Sequence, residues 1–127
     1  MATTVSSVSS DNMADSLNTD VGTSHQLVLY TSGDVEVATM TYSAALAAVG
    51  VGNPIDLTWA HGNYTDDTSA TGGTVSYAAI ETTGGAAERI RFSDPTNDIG
   101  LSSLSITAAD TVDVDTDIVV QMPSHTV

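Results

Sequence analysis

The chain has no cysteine and no lysine, and apart from three histidines its only basic side chains are Arg89 and Arg91. Without thiols there is no disulfide frame, no thiolate zinc site and no cysteine nucleophile. Without lysine there is neither a P-loop cation nor a Schiff base. Apolar runs are short as well, and no window approaches the ~18 residues of a membrane span. The opening MATTVSSVSSDN lacks the basic and apolar regions of a secretory signal. The expectation is a chain with no membrane partner and no export signal of its own, stabilised by packing or by subunits.

Sixteen acidic residues against two arginines give a formal net charge of -14. A phosphate backbone is bound by cations that displace its counterions, so nucleic acid is not an expected partner. Dense like charge suits salty surroundings, where screening over about 8 Å or less mutes self-repulsion. It equally keeps a β protein from pairing edge to edge. At 127 residues a single domain is expected, burying roughly two thirds of its unfolded surface.

The segment from Asp98 to Met122 carries the clearest pattern. Val112, Val114, Ile118, Val120 and Met122 fall on even positions, while Asp113, Asp115, Asp117 and Gln121 fall on odd ones. A period of two places one face in a core and the other in water. Ile99, Leu101, Leu104 and Ile106 precede it, so the two runs are predicted to form a hairpin turning at Ala108 to Asp110.

Taken from the start, Ser/Thr-rich residues 1–10 read as a tail. Ser10 or Asp11 then caps a short helix of two turns with Met13 and Leu17 on one face. Gln26 to Thr31 reads as a strand buried on both faces, turning at Ser32-Gly33-Asp34 into a second strand, Val35 to Met40. Tyr42 to Val51 is a helical turn or an irregular crossover, and Ile55 to Trp59 is a strand with Ile55, Leu57 and Trp59 on one side. His61 to Gly73 is polar and turn-rich, hence a surface loop. Val75 to Thr82 and Glu88 to Phe92 form a hairpin about Thr83-Gly84-Gly85, with Ile90 and Phe92 inward and both arginines outward. The fold expected is all-β: residues 1–20 an N-terminal arm or short helix, and 21–127 a β-sandwich or small barrel of about seven antiparallel strands.

Chemistry is sparsely provided for. His25, His61 and His125 have no metal-ligand spacing among them, and no G-x-S-x-G elbow or phosphate-cradling Gly loop is present. No catalytic residue and no cofactor is expected, and the chain is not expected to be an enzyme. Asp113-x-Asp115-x-Asp117 resembles the start of a calcium loop but has Ile118 and Ser124 where that loop needs Gly and an acid. On a strand these carboxylates stand roughly 7 Å apart, which leaves two readings: a solvated, edge-guarding face or a weak divalent-ion site. Asp66-Asp67 has the same ambiguity. Asn63-Tyr64-Thr65 matches a glycosylation sequon, which matters only on a secretory route. Arg89 and Arg91 share one face by parity, and pair either with an acidic strand such as Asp113 to Asp117 or with an acidic neighbour in an assembly.

Four stretches in order carry a resemblance: Asn12-Met13-Ala14-Asp15-Ser16-Leu17, Leu27 to Gly33, Thr68-Ser69-Ala70-Thr71-Gly72, and the closing segment with Leu101, Ile106, Thr111, Val112, Val114 and Ile118. Together they resemble a family of small virion proteins of tailed bacteriophages. The chain departs from it in having Ala109-Asp110 where a Gly turn is usual, and in its acidic last strand. The resemblance implies no activity. It implies a capsid decoration (cement) protein made in the host cytoplasm and carried on the capsid exterior, with the major capsid protein as partner. The expected form is a homo-oligomer, taken as a trimer, with Met13, Leu17, Arg89 and Arg91 as interaction candidates. The rival reading is a tail, fibre or host-recognition module of the same virion, its 61–73 loop binding sugar through Trp59, Tyr64 and Tyr77. A small ion-binding or enzymatic module ranks third.

Overall fold

The structure, a computed structural model, describes residues 5–44, 46–83 and 87–126, with His125 and Thr126 described in their backbone alone. The elements run β1 (Val5–Ser6), α1 (Ser7–Val21), β2 (Ser24–Tyr30), β3 (Glu36–Ser43), β4 (Ala48–Val49) and β5 (Asp56–Trp59). After a 3-10 turn at His61–Asn63 come β6 (Tyr64–Thr65), β7 (Gly73–Thr74), β8 (Tyr77–Thr82) and β9 (Glu88–Phe92). The chain closes with α2 (Pro95–Asp98), β10 (Ser105–Ile106), β11 (Ile118–Gln121) and β12 (His125–Thr126). The protein is mostly β, with three antiparallel sheets and one N-terminal helix of any length, as the alternation in the sequence predicts. Six strands, β2, β3, β5, β8, β9 and β11, have four or more residues.

The largest sheet has the order β6-β3-β2-β8-β9 and a second has β11-β5-β4. Register sets which side chains share a face. Leu27 lies between Met40 and Ile80, Leu29 between Ala38 and Ala78, and His25 between Tyr42 and Thr82. This row meets the β5–β11 sheet, where Trp59 pairs with Ile118 and Leu57 with Val120. His25 touches Trp59 edge-on at 5.9 Å, so the two sheets share one core. Trp59, Leu27, Leu29, Leu57 and Ile118 are fully buried. At about 1.5–3 kcal/mol for each large apolar side chain, that row is the main favourable term.

Helix α1 seals this core and is longer than two turns. Its N-cap is Ser6, whose hydroxyl accepts from the Ser9 amide at 3.2 Å, and Gly22 ends it at φ 75 with its N–H on the Asn18 carbonyl. The inward stripe is Ser10, Ala14, Asn18 and Val21. Small and polar residues fill it, so a search for apolar periodicity misses most of the helix. Asn18 explains why an amide is tolerated there. Its Oδ1 accepts from the Ala47 N–H at 3.0 Å and its Nδ2 donates to the Ala47 carbonyl at 3.3 Å, pinning the helix to the 44–47 crossover. Asn18→Ala leaves both Ala47 groups buried and unpaired, and should cost about 2 kcal/mol. Urea denaturation would show this as a lower midpoint at unchanged slope.

The predicted C-terminal hairpin does not form. The chain does turn at 107–110, where the Thr107 N–H donates to the Asp110 carboxylate and Ala109 takes φ 70. The two arms then pair elsewhere: β10 with β7 and β11 with β5. Residues 67–75, of which 67–73 are expected from sequence as surface loop and Val75 as the start of a strand, run along both arms. Asp67 and Val112 exchange both backbone hydrogen bonds, the Ala109 N–H donates to the Ala70 carbonyl, and the Val75 N–H to that of Leu104. Ala70 is accordingly buried, and Tyr64 is buried beside Tyr42 on β3 and His25. The alternation itself survives: Val112, Ile118 and Met122 are buried, Val114 and Val120 are half-buried, and Asp113, Asp115 and Asp117 are exposed. Of the 42–51 stretch, described apart from Ala45, none is helical: Tyr42 and Ser43 finish β3, and the described remainder is an irregular crossover carrying β4. The Gly84 and Gly85 of the β8–β9 turn and residues 1–4 of the tail lie outside the described residues.

Candidate functional site

Three surfaces hold the residues singled out by the sequence. The first is the acidic C-terminal segment. Asp113 and Asp115 rim a cavity of about 190 Å³ whose floor is Leu27, Leu29 and Met40 and whose wall is the 99–115 segment. Asp117 is turned elsewhere. It accepts from the His61 backbone N–H at 3.0 Å and faces His61 Nδ1 at 2.6 Å; the backbone bond first and the side-chain bond second hold its carboxyl below the usual range. The three carboxylates therefore do not converge, and among the described residues no three His, Asp or Glu side chains are grouped to hold a metal.

The second surface is the outward face of the large sheet. Tyr30 stacks on Tyr77 with ring centroids 5.1 Å apart, and Arg91 lies over the Tyr77 ring at 4.1 Å. Each polar group is tied down. The Tyr30 hydroxyl donates to Glu81 at 2.6 Å, the Tyr77 hydroxyl to Asp34 at 2.8 Å, and Arg91 Nε to Glu88 at 2.7 Å. Burial first, then the bond to the Glu81 carboxylate, pushes the Tyr30 hydroxyl up, so it stays a donor. This corrects two expectations. Arg91 pairs on its own strand and Arg89 pairs with Asp20 of α1 at 3.5 Å, so neither reaches Asp113 to Asp117. The proposed sugar-stacking set is also dispersed. Trp59 and Tyr64 are core residues, and the Tyr77 ring is occupied by Tyr30 and Arg91 from the two strands that flank β8.

The third surface is a shallow apolar groove along α1. Met13 and Leu17 stand on it one helical turn apart, with Asn12, Ser16 and Asp20 from the same helix and Met122 and Pro123 across from them. The four-residue spacing marked Met13 and Leu17 correctly as neighbours on one stripe. Met13 remains 41% exposed, while Leu17 is half-buried against the core. The sequence marks Met122 only as a core residue of the last strand and does not single out Pro123 or Asp20. Asp20 follows Leu17 by three, a signal usable only once the helix is known to reach Val21. Parallel pairing of β1 with β12 explains the rest: it brings the C-terminal segment alongside the start of α1.

His25 stands apart from all three. It lies in the core, stacked on Tyr42 at 4.5 Å, with Nε2 in a 2.8 Å hydrogen bond with the Tyr64 hydroxyl. Burial lowers its pKa to about 4, against an opposing backbone contact from Gly22. Sequence gives no hint of this, because the predicted strand starts at Gln26 and leaves His25 just outside it. No helix among the described residues is long and apolar enough to cross a membrane. Comparison with protein-family models, curated proteins and solved structures returned no match.

Proposed function

We propose that the chain is a structural assembly protein, a capsid decoration protein of a tailed bacteriophage that docks on the shell through α1. The observation that carries this reading is the α1 groove. On a chain of net charge -14, Met13, Leu17, Met122 and Pro123 gather side chains from both ends of the chain into one apolar strip. Met13 and Pro123 are exposed, Leu17 is half-buried and Met122 forms the buried floor, so the strip is an apolar recess continuous with the core. Grouped apolar surface of this kind marks a contact site where single exposed side chains do not. The body behind the strip is stiff: two sheets share one core, and side chains across β2, β8 and β9 are locked by hydrogen bonds and stacking. Such a body transmits load between the shell subunits it touches. Repetition on a symmetric shell, with the chain itself a homo-oligomer, lets modest single contacts add up to firm attachment.

Copy number tests the reading. Gel densitometry of purified particles of the encoding phage is expected to show the chain in hundreds of copies, scaling with the major capsid protein. A handful of copies would place it in the tail instead.

A further inference from the structure

We infer that the α1 groove seats a segment of a different protein in which Lys or Arg flanks an apolar anchor, and that it does not seat a second copy of this chain. The inference rests on the docking role proposed above and specifies the chemistry of the partner. The floor of the groove is Met13, Leu17, Met122 and Pro123. Two of these are methionines, whose flexible thioethers adapt to an incoming apolar side chain.

The end of the groove is negative for two reasons. Asp20 lines it, and Asp20 stands in the last turn of α1, where the backbone carbonyls already carry the negative pole of the helix dipole. The last turn contains no basic residue. Among the described residues Arg89 is the cation that pairs there, at 3.5 Å, with side chains 35% and 55% exposed. An exposed pair at that distance is worth little and yields readily to a competitor. Asp20 lies three residues beyond Leu17 and seven beyond Met13, hence about 4.5 and 10.5 Å along the helix. A partner therefore places its cation about 5–10 Å from its apolar anchor.

A second copy gains nothing by supplying that cation: its Arg89 would only exchange one exposed Asp20 pair for another, and it brings a net charge of -14 with it. The chain has two arginines and no lysine. Arg89 is engaged with Asp20, and Arg91 with Glu88 and the Tyr77 ring. Self-association through this groove would bring another strongly anionic surface against Asp20.

The four methionines give a direct readout. Met13 and Met122 line the groove, Met40 is buried in the core as an internal control, and Met1 lies outside the described residues. With methyl-labelled methionine, NMR titrations would use three helical peptides of equal length: alternating Leu and Lys faces, the same with Glu for Lys, and the same with Ser for Leu. The Leu/Lys peptide is expected to shift Met13 and Met122 and leave Met40 in place. The other two should bind at least about tenfold more weakly. Asp20→Asn should weaken the Leu/Lys complex about two- to fivefold, and added salt should weaken it further. Equal binding of the Leu/Lys and Ser/Lys peptides would reduce the effect to diffuse charge and overturn the inference. So would Met13 and Met122 shifts that grow with protein concentration alone, the mark of a second copy. The two readings fail separately: a chain abundant on particles whose groove ignores the Leu/Lys peptide sinks this one and spares the decoration role, and the opposite pair of results does the reverse.

Discussion

Acidification from pH 7 to pH 4 is expected to cost the fold about 3 kcal/mol through His25 alone. In the unfolded chain this ring titrates near 6.5, and in the folded protein burial lowers it to about 4. Above pH 6.5 the ring is neutral in both states and contributes no pH dependence. Between 6.5 and about 4 the unfolded chain takes a proton that the native core refuses, so stability falls as pH falls, and the loss is complete below the folded value. Geometry explains the refusal. The ring is packed against Tyr42, Trp59 and Tyr64, and Nδ1 has no well-aligned hydrogen-bond partner. Protonation would place a charge there with nothing to solvate it. The sixteen acidic residues lose charge over a similar range and relieve self-repulsion, so the informative quantity is a difference. His25→Phe should begin less stable at pH 7, having lost the bond to Tyr64, but should lack this fall between pH 6.5 and 4. Parallel slopes for the two proteins in pH-resolved denaturation would count against a neutral, buried His25.

Gly72→Ala should be nearly as damaging, at about 2–5 kcal/mol. Gly72 has φ +89, a conformation that side chains rarely adopt, and an added Cβ would sit 2.6 Å from the Ala108 amide nitrogen and 3.0 Å from its Cα. Both neighbours are backbone, so no rotamer change can relieve the contact. The close approach exists because residues 67–75 run against the 104–112 cover of the core. Gly62→Ala is the matched control. Nothing lies within 4 Å of its would-be Cβ, and the change should stay within about 0.5 kcal/mol. Equal midpoints for the two variants would mean that 67–75 does not lie where the structure places it.

Those two sites also show what could be read in advance and what could not. Strands β5 and β9 were legible because each buries one alternating set of side chains, a local property, and β2, β3 and β8 because aliphatic and β-branched runs stand there between turn signals. The inward phase of Val112, Ile118 and Met122 was legible for the same reason. Their partners were not. The pairing of 67–75 with both arms of the 104–112 turn is made by backbone groups of a polar segment, and backbone hydrogen bonds leave no trace in a hydropathy pattern. Helix α1 was cut short because Ser10, Ala14 and Asn18 face inward without being large or apolar, while the more conspicuous Met13 faces outward. Of the candidate site, Met13 and Leu17 followed from helical spacing, but their opposite wall, Met122 and Pro123, is more than one hundred residues away in sequence and depends on the topology. Arg89 was expected to find an acid; that the acid is Asp20 of the helix, and not the aspartate ladder, follows from the position of α1 beside β8 and β9.

Placement is decisive: this rigid, acid-covered β body is expected to be held on a larger shell by the strip on α1. Cryo-electron microscopy of the purified particle tests it most directly. The expected reconstruction shows the two-sheet body repeated over the capsid exterior, with Met13, Leu17, Met122 and Pro123 buried against the shell. Density for the chain confined to the tail, or a capsid-bound chain whose α1 strip faces solvent, would contradict it.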